Sequence, residues 1–172
     1  GYDHEGALLA TNSEVTVRGP DGTETVPAAA FFCGACKTTL DDGQLITSID
    51  VPTVEGDRYG GYAKRKEPAS GNAIVGVAAD ITVAPGDDRV RSVRLAVNGL
   101  QASAVRLEAA EEVLTGDRLS DDIVARAAAV AGERLDADSV LDNRKASAEY
   151  RLNLLESQVQ TAVSRGVPSL SV

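Results

Sequence analysis

The chain has 172 residues, a net charge of -9, 3% aromatic residues, no Trp and no Met, which allows one domain or two small ones around a core of Val, Leu, Ile and Ala. The acidic balance, with a pI near 4.6, excludes a binder of phosphate backbones, because the basic stripe such a site needs is not in the sequence. No apolar run approaches the roughly 18 residues of a membrane span, and no basic-then-apolar leader opens the chain, so the expected location is the cytoplasm.

Residues 7–10 read as a helical piece too short to stand alone. Residues 14–18 alternate as a strand, Gly19-Pro20-Asp21-Gly22 makes a turn and residues 23–26 return, giving a hairpin. Phe31 and Phe32 are the only phenylalanines and are expected to be buried against it. Cys33-Gly-Ala-Cys36 follows. One such pair is half of a zinc ribbon or a thioredoxin-type motif. With no second pair and His4 the only histidine, the chain cannot complete a four-ligand zinc site. Residues 37–40 lead into the acidic turn Asp41-Asp42-Gly43 rather than a helix, which favours incidental thiols.

In the stretch 43–65, Leu45, Ile46, Ile49 and Val51 form an apolar strand closed by Pro52, which cannot donate to a ladder. After a loop, Tyr59-Gly-Gly-Tyr-Ala-Lys64 reads as a second strand, and Lys64 is either a charge guarding a sheet edge or a ligand contact. Residues 72–83 form a nearly continuous apolar strand, of the kind buried on both faces. Pro85-Gly86-Asp87-Asp88 turns it. Residues 89–98 then alternate, with Val90, Val93, Leu95 and Val97 apolar and Arg91 and Arg94 outward. With residues 59–66 beside them, these strands predict a small antiparallel sheet.

Beyond Gly99 the spacing becomes helical. Leu107, Ala110 and Leu114 share one face and Glu108, Glu111 and Glu112 the solvated one, with Gly116 as the stop. Ser120 caps a second helix whose first turn holds Asp121 and Asp122 at the positive end of its dipole. Its core positions are Ile123, Val124, Ala127, Ala128, Ala131 and Leu135. A third helix over 146–164 turns Ala148, Leu152, Leu155, Val159 and Ala162 inward and stops at Gly166-Val-Pro168. The expected class is α+β, a first antiparallel sheet followed by a small antiparallel sheet with three helices. No catalytic set emerges: Glu111 and Glu112 point about 100° apart, Ser147 and Ser164 have only His4 as a candidate base, and Gly60-Gly61 opens no helix and so fails as a phosphate loop.

Several ordered pieces carry a family likeness. They are Phe31-Phe32 through Thr38-Thr39-Leu40, the run from Gly43 to Pro52, Tyr62-Ala-Lys64 and Ala73 through Ala79. Further along come Asn98-Gly99, Arg106 through Glu111, Leu114-Thr-Gly116 and Asp142 through Arg151. Together they span nearly the whole chain and resemble the FAD-binding medium subunit of the molybdenum hydroxylases, the carbon monoxide dehydrogenase and xanthine dehydrogenase family.

The resemblance implies that residues 1–55 are the C-terminal part of an FAD-binding domain. It implies that 56–172 are the C-terminal domain of the medium subunit, serving structure and contacts within an assembly. It also implies a relay in which FAD takes electrons from the iron-sulfur clusters of a small subunit and passes them to an external acceptor. A large molybdopterin subunit would oxidise, and choose, the substrate. By the same likeness Leu45 and Ile46 would lie against the isoalloxazine ring, Lys64 near the flavin end, and Asp3 at a flavin-contacting aspartate. Gln44 stands where the family usually has Glu.

The family's two glycine-rich loops, which cradle the FAD pyrophosphate, are not among these 172 residues. The resemblance therefore implies an incomplete FAD site: a truncated chain, a split gene whose other polypeptide supplies the loops, or a degenerate scaffold that no longer binds flavin. Poor binding of FAD by the chain alone is expected.

Overall fold

The computed structural model describes residues 2–86 and 89–167, Tyr2 through its backbone only. Asp87 and Asp88 of the expected turn, and Pro168 of the expected helix stop, lie outside the described residues. In order, the elements are helix α1 (Tyr2–Ala10), strands β1 (Glu14–Gly19) and β2 (Gly22–Pro27), a short helix α2 (Ala28–Phe31), strands β3 (Phe32–Gly34), β4 (Lys37–Thr38), β5 (Leu45–Asp50), β6 (Asp57–Lys66), β7 (Ala73–Val83), β8 (Val90–Asn98) and β9 (Val105–Arg106), and helices α3 (Glu108–Leu114), α4 (Asp121–Ala129) and α5 (Ala148–Gly166).

The strands form three antiparallel sheets, ordered β2-β1-β5, β3-β4 and β6-β7-β8-β9, so the α+β expectation holds. The hairpin at 14–26 forms as read, with Val15 opposite Val26 and Val17 opposite Glu24. Only Val15, Val17 and Phe31 are buried in its small core, and Phe32 packs half-buried with its ring edge on Phe31 at a centroid distance of 5.2 Å. All six residues of β5 are exposed.

The four-stranded sheet carries the main core. Strand side chains alternate between faces, and on β7 and β8 Val75, Val77, Ala79 and Ile81 with Val93, Leu95 and Val97 face α3, α4 and α5. The opposite face turns Ala78 and Ala96 to Leu9 and Ala10 of α1. Burial on both faces is why β7 reads as an unbroken apolar run.

Gly61 has a packing reason to be glycine, whereas a Cβ on Gly60 would meet open space. A Cβ on Gly61 would lie 1.9 Å from the carbonyl oxygen of Ala162, so the bare backbone of β6 lets α5 pass against it. The Ser120 cap forms as expected, its hydroxyl accepting the Ile123 N–H at 3.4 Å.

Three helix expectations are corrected. α4 ends at Ala129 rather than running to Leu135, because three-residue turns closed by Ala131→Ala128, Glu133→Val130 and Leu135→Gly132 bonds replace the helical ladder. On α5, Leu152 is exposed and Arg151 is buried instead. Glu111, expected on a solvated face, is 5% exposed. It accepts the Leu95 N–H at 2.8 Å and two bonds from the Arg106 guanidinium, and these three bonds compensate the loss of water around the carboxylate.

Candidate functional site

The edge strand β6 sets Tyr62 and Lys64, two residues apart, on the face turned to α1. Register places Lys64 opposite Gly76 on β7, and Gly76 opposite Asn98 on β8. The missing side chain at Gly76 is required: a Cβ there would sit 2.3 Å from the Tyr62 hydroxyl and 2.9 Å from Asn98 Oδ1. Gly6 on α1 leaves room in the same way, its Cβ position being 2.7 Å from Asn98 Oδ1.

Into this space the first turn of α1 brings Asp3. Its Oδ2 takes a close hydrogen bond and ion pair from Lys64 Nζ, and its Oδ1 accepts from the Tyr62 hydroxyl at 2.9 Å. Lys64 Nζ also donates to the Gly71 carbonyl at 3.0 Å, which ties the β6–β7 turn to the cluster. Two of the three ammonium protons are thus committed, and one remains for an acceptor outside the cluster.

The Tyr62 hydroxyl also lies 3.2 Å from Asn98 Oδ1. Its burial, with the Asp3 carboxylate beside it, pushes its pKa up, so the phenol keeps its proton and acts as a donor. Asn98 is fully buried, and its Nδ2 has no partner among the described residues.

The structure therefore joins two of the four expected site residues, Asp3 and Lys64, across 61 positions of sequence. Leu45 and Ile46 lie on the other large sheet, on its edge strand β5, 58% and 43% exposed. Gln44 holds the loop before β5, its Oε1 accepting the Asp41 N–H at 2.8 Å and its Nε2 donating to Glu24 at 3.3 Å. Lys64 sits on the edge strand β6 and is fixed there by a carboxylate from α1. Tyr62 and Asn98 were not singled out as site residues by sequence. The signal for Tyr62 was its period-two spacing from Lys64, whereas Asn98, quoted only within a family-likeness piece, is brought to the cluster by strand register.

Cys33 and Cys36 are exposed on the β3–β4 hairpin, and no group of three or more His, Cys, Asp or Glu side chains able to hold a metal occurs among the described residues. No helix of the described residues is long and apolar enough to cross a membrane.

A carboxylate from α1 is clamped to a lysine of an antiparallel sheet that is backed on its other face by three helices. By family models, residues 61–165 match the CO dehydrogenase flavoprotein C-terminal domain, and residues 3–54 the FAD binding domain in molybdopterin dehydrogenase. The chain belongs to the FAD-binding medium subunits of the molybdenum hydroxylases. It is 34% identical over 158 residues to the nicotine 6-hydroxylase medium subunit of Paenarthrobacter nicotinovorans, covering 91% of this chain and 53% of that one. To the carbon monoxide dehydrogenase medium chain of Hydrogenophaga pseudoflava it is 25% identical over 164 residues, covering 95% and 55%. A solved structure of carbon monoxide dehydrogenase from Hydrogenophaga pseudoflava superposes with a TM-score of 0.83 at 26% identity, covering 95% of this chain and 55% of that chain. The chain spans about half the length of the curated relatives it matches.

Proposed function

We propose that the chain supplies the flavin-facing half of an FAD site in a medium subunit, the pyrophosphate being held by glycine-rich loops on a further segment or polypeptide. The observation that carries this reading is the Asp3–Lys64–Tyr62 cluster, which ties the stretch matched as FAD-binding domain to the stretch matched as flavoprotein C-terminal domain. Asp3 orients the lysine, Tyr62 holds Asp3, and the remaining Lys64 proton is offered to the flavin. Leu45 and Ile46 present the exposed apolar surface that a planar ring would cover. Bound FAD would supply the electron transfer.

In this reading the site would hold FAD between the iron-sulfur clusters of a small subunit and an external acceptor, with molybdopterin belonging to a large subunit. The relatives' names, medium subunit and medium chain, support such an assembly. Residues 1–55 then form the last part of the FAD-binding domain and 56–172 the C-terminal domain, with α1 as the bridge.

A second reading, a scaffold without flavin, is favoured by the fact that Asp3 already neutralises Lys64. A Lys64→Ala variant in a complex reconstituted with the partner subunits and the glycine-rich segment separates the two. The flavoprotein reading expects about tenfold or greater weakening of FAD retention, and the scaffold reading expects assembly without flavin in wild type and variant alike.

A further inference from the structure

Beside the β6–β7 turn that Lys64 braces through the Gly71 carbonyl, a cavity of about 450 Å³ opens where the start of β7, the end of β8 and the segment leading into α5 meet. That volume is in the range of small-molecule sites. Its charged lining is Arg144, Lys145 and Arg151 against Glu67, a positive balance on a chain of net charge -9. Glu67 accepts the Ala69 N–H at 3.1 Å, the Ser70 N–H at 2.9 Å and the Ser70 hydroxyl of its own turn, and the Lys145 charge also acts on its carboxylate.

Arg151 is the unusual member. It is 4% exposed, yet it donates to neutral acceptors: the Ile74 carbonyl at 2.5 Å, the Gly99 carbonyl at 2.7 Å and Asn143 Oδ1 at 3.2 Å. Its Nε–H has no acceptor among the described residues. Burial pushes its pKa down, and the Asp142 carboxylate opposes that shift without making a hydrogen bond to it. Buried charges are ordinarily paired by direct hydrogen bonds, and with Arg144 and Lys145 on the same wall the lining keeps more cations than carboxylates. Ile74 and Leu141 give the rest of the cavity an apolar side.

We propose that this cavity binds a small organic anion, its carboxylate or phosphate held by Arg144, Lys145 and Arg151 and its apolar body laid against Ile74 and Leu141. The site is independent of the flavin reading, since none of the residues expected to meet FAD lines it.

Calorimetric titration of the 172-residue chain in low-salt buffer with benzoate and with adenosine monophosphate tests the proposal, with benzamide and adenosine as uncharged counterparts. Saturable binding of at least one anion is expected, about tenfold or more tighter than its neutral counterpart. Binding of benzoate alone marks a carboxylate site and of adenosine monophosphate alone a phosphate site. An Arg144→Ala/Lys145→Ala variant, altered only at exposed positions, should weaken that binding about tenfold or more with an unchanged thermal midpoint. No binding of either anion, equal binding of the neutral counterparts, or undiminished affinity in the double variant overturns the proposal.

Discussion

The sheet β6-β7-β8-β9 is covered on both faces, by α1 on one and by α3, α4 and α5 on the other, whereas the sheet β2-β1-β5 hides a core of three buried residues and leaves β5 bare. Both sheets contain strands that read as apolar. In β7 that pattern meets helices from the same chain, while in β5 Leu45, Ile46 and Ile49 are 58%, 43% and 46% exposed. Apolar patterning states that a residue is suited to burial, not what will bury it. Here the covered sheet provides the chain's stability and the bare strand provides a surface.

The sharpest way to break this contrast is to lift α5 off its sheet. Gly61→Ala puts a methyl group against the Ala162 backbone, which cannot yield as a side chain would. The expected loss is about 3 kcal/mol or more in urea unfolding. Arg151→Ala is expected to cost about 2 kcal/mol, because the Ile74 and Gly99 carbonyls lose their donor at the start of the same helix.

Glu5 tests the α1 side of the covered sheet. It is 7% exposed and accepts the Ala104 N–H at 2.7 Å, and burial raises its pKa above the ordinary 4.5. A raised folded-state pKa means that the folded chain holds the proton more tightly than the unfolded chain does. The stabilisation from protonation is complete below pH 4.5 and is lost as the pH rises through the raised value. Glu5→Gln keeps an acceptor without the charge, so its stability relative to wild type should increase between about pH 4 and pH 7 in a series of thermal melts.

The smallest effect belongs to the bare strand. Ile46→Thr and Ile49→Thr should each change the stability of the chain by no more than about 0.5 kcal/mol, since little burial is lost. A large loss at either position would show that β5 is covered within this chain after all.

The covered sheet was the more legible of the two regions. The unbroken run of β7, the Ser120 cap and the three helices follow from spacing and capping chemistry that act within a few residues. Glu111 was misread because what buries it, Arg106 and the Leu95 N–H, lies in neighbouring strands. Arg151 was missed for a similar reason: its acceptors are carbonyls 77 and 52 positions away, and a helical pattern favours Leu152. Lys64 stood out locally as a lysine in a strand, either an edge charge or a ligand contact, whereas Asp3 had no local signal and family resemblance alone named it.

That these residues form one half of a flavin site is tested most directly by a titration of FAD, followed by flavin absorbance and fluorescence. The titration is made into the 172-residue chain alone and into the chain together with a polypeptide carrying the two glycine-rich loops. Weak or no binding alone and stoichiometric binding in the presence of the loops is the predicted result. Tight stoichiometric binding by the chain alone, or none with the loops present, would contradict it.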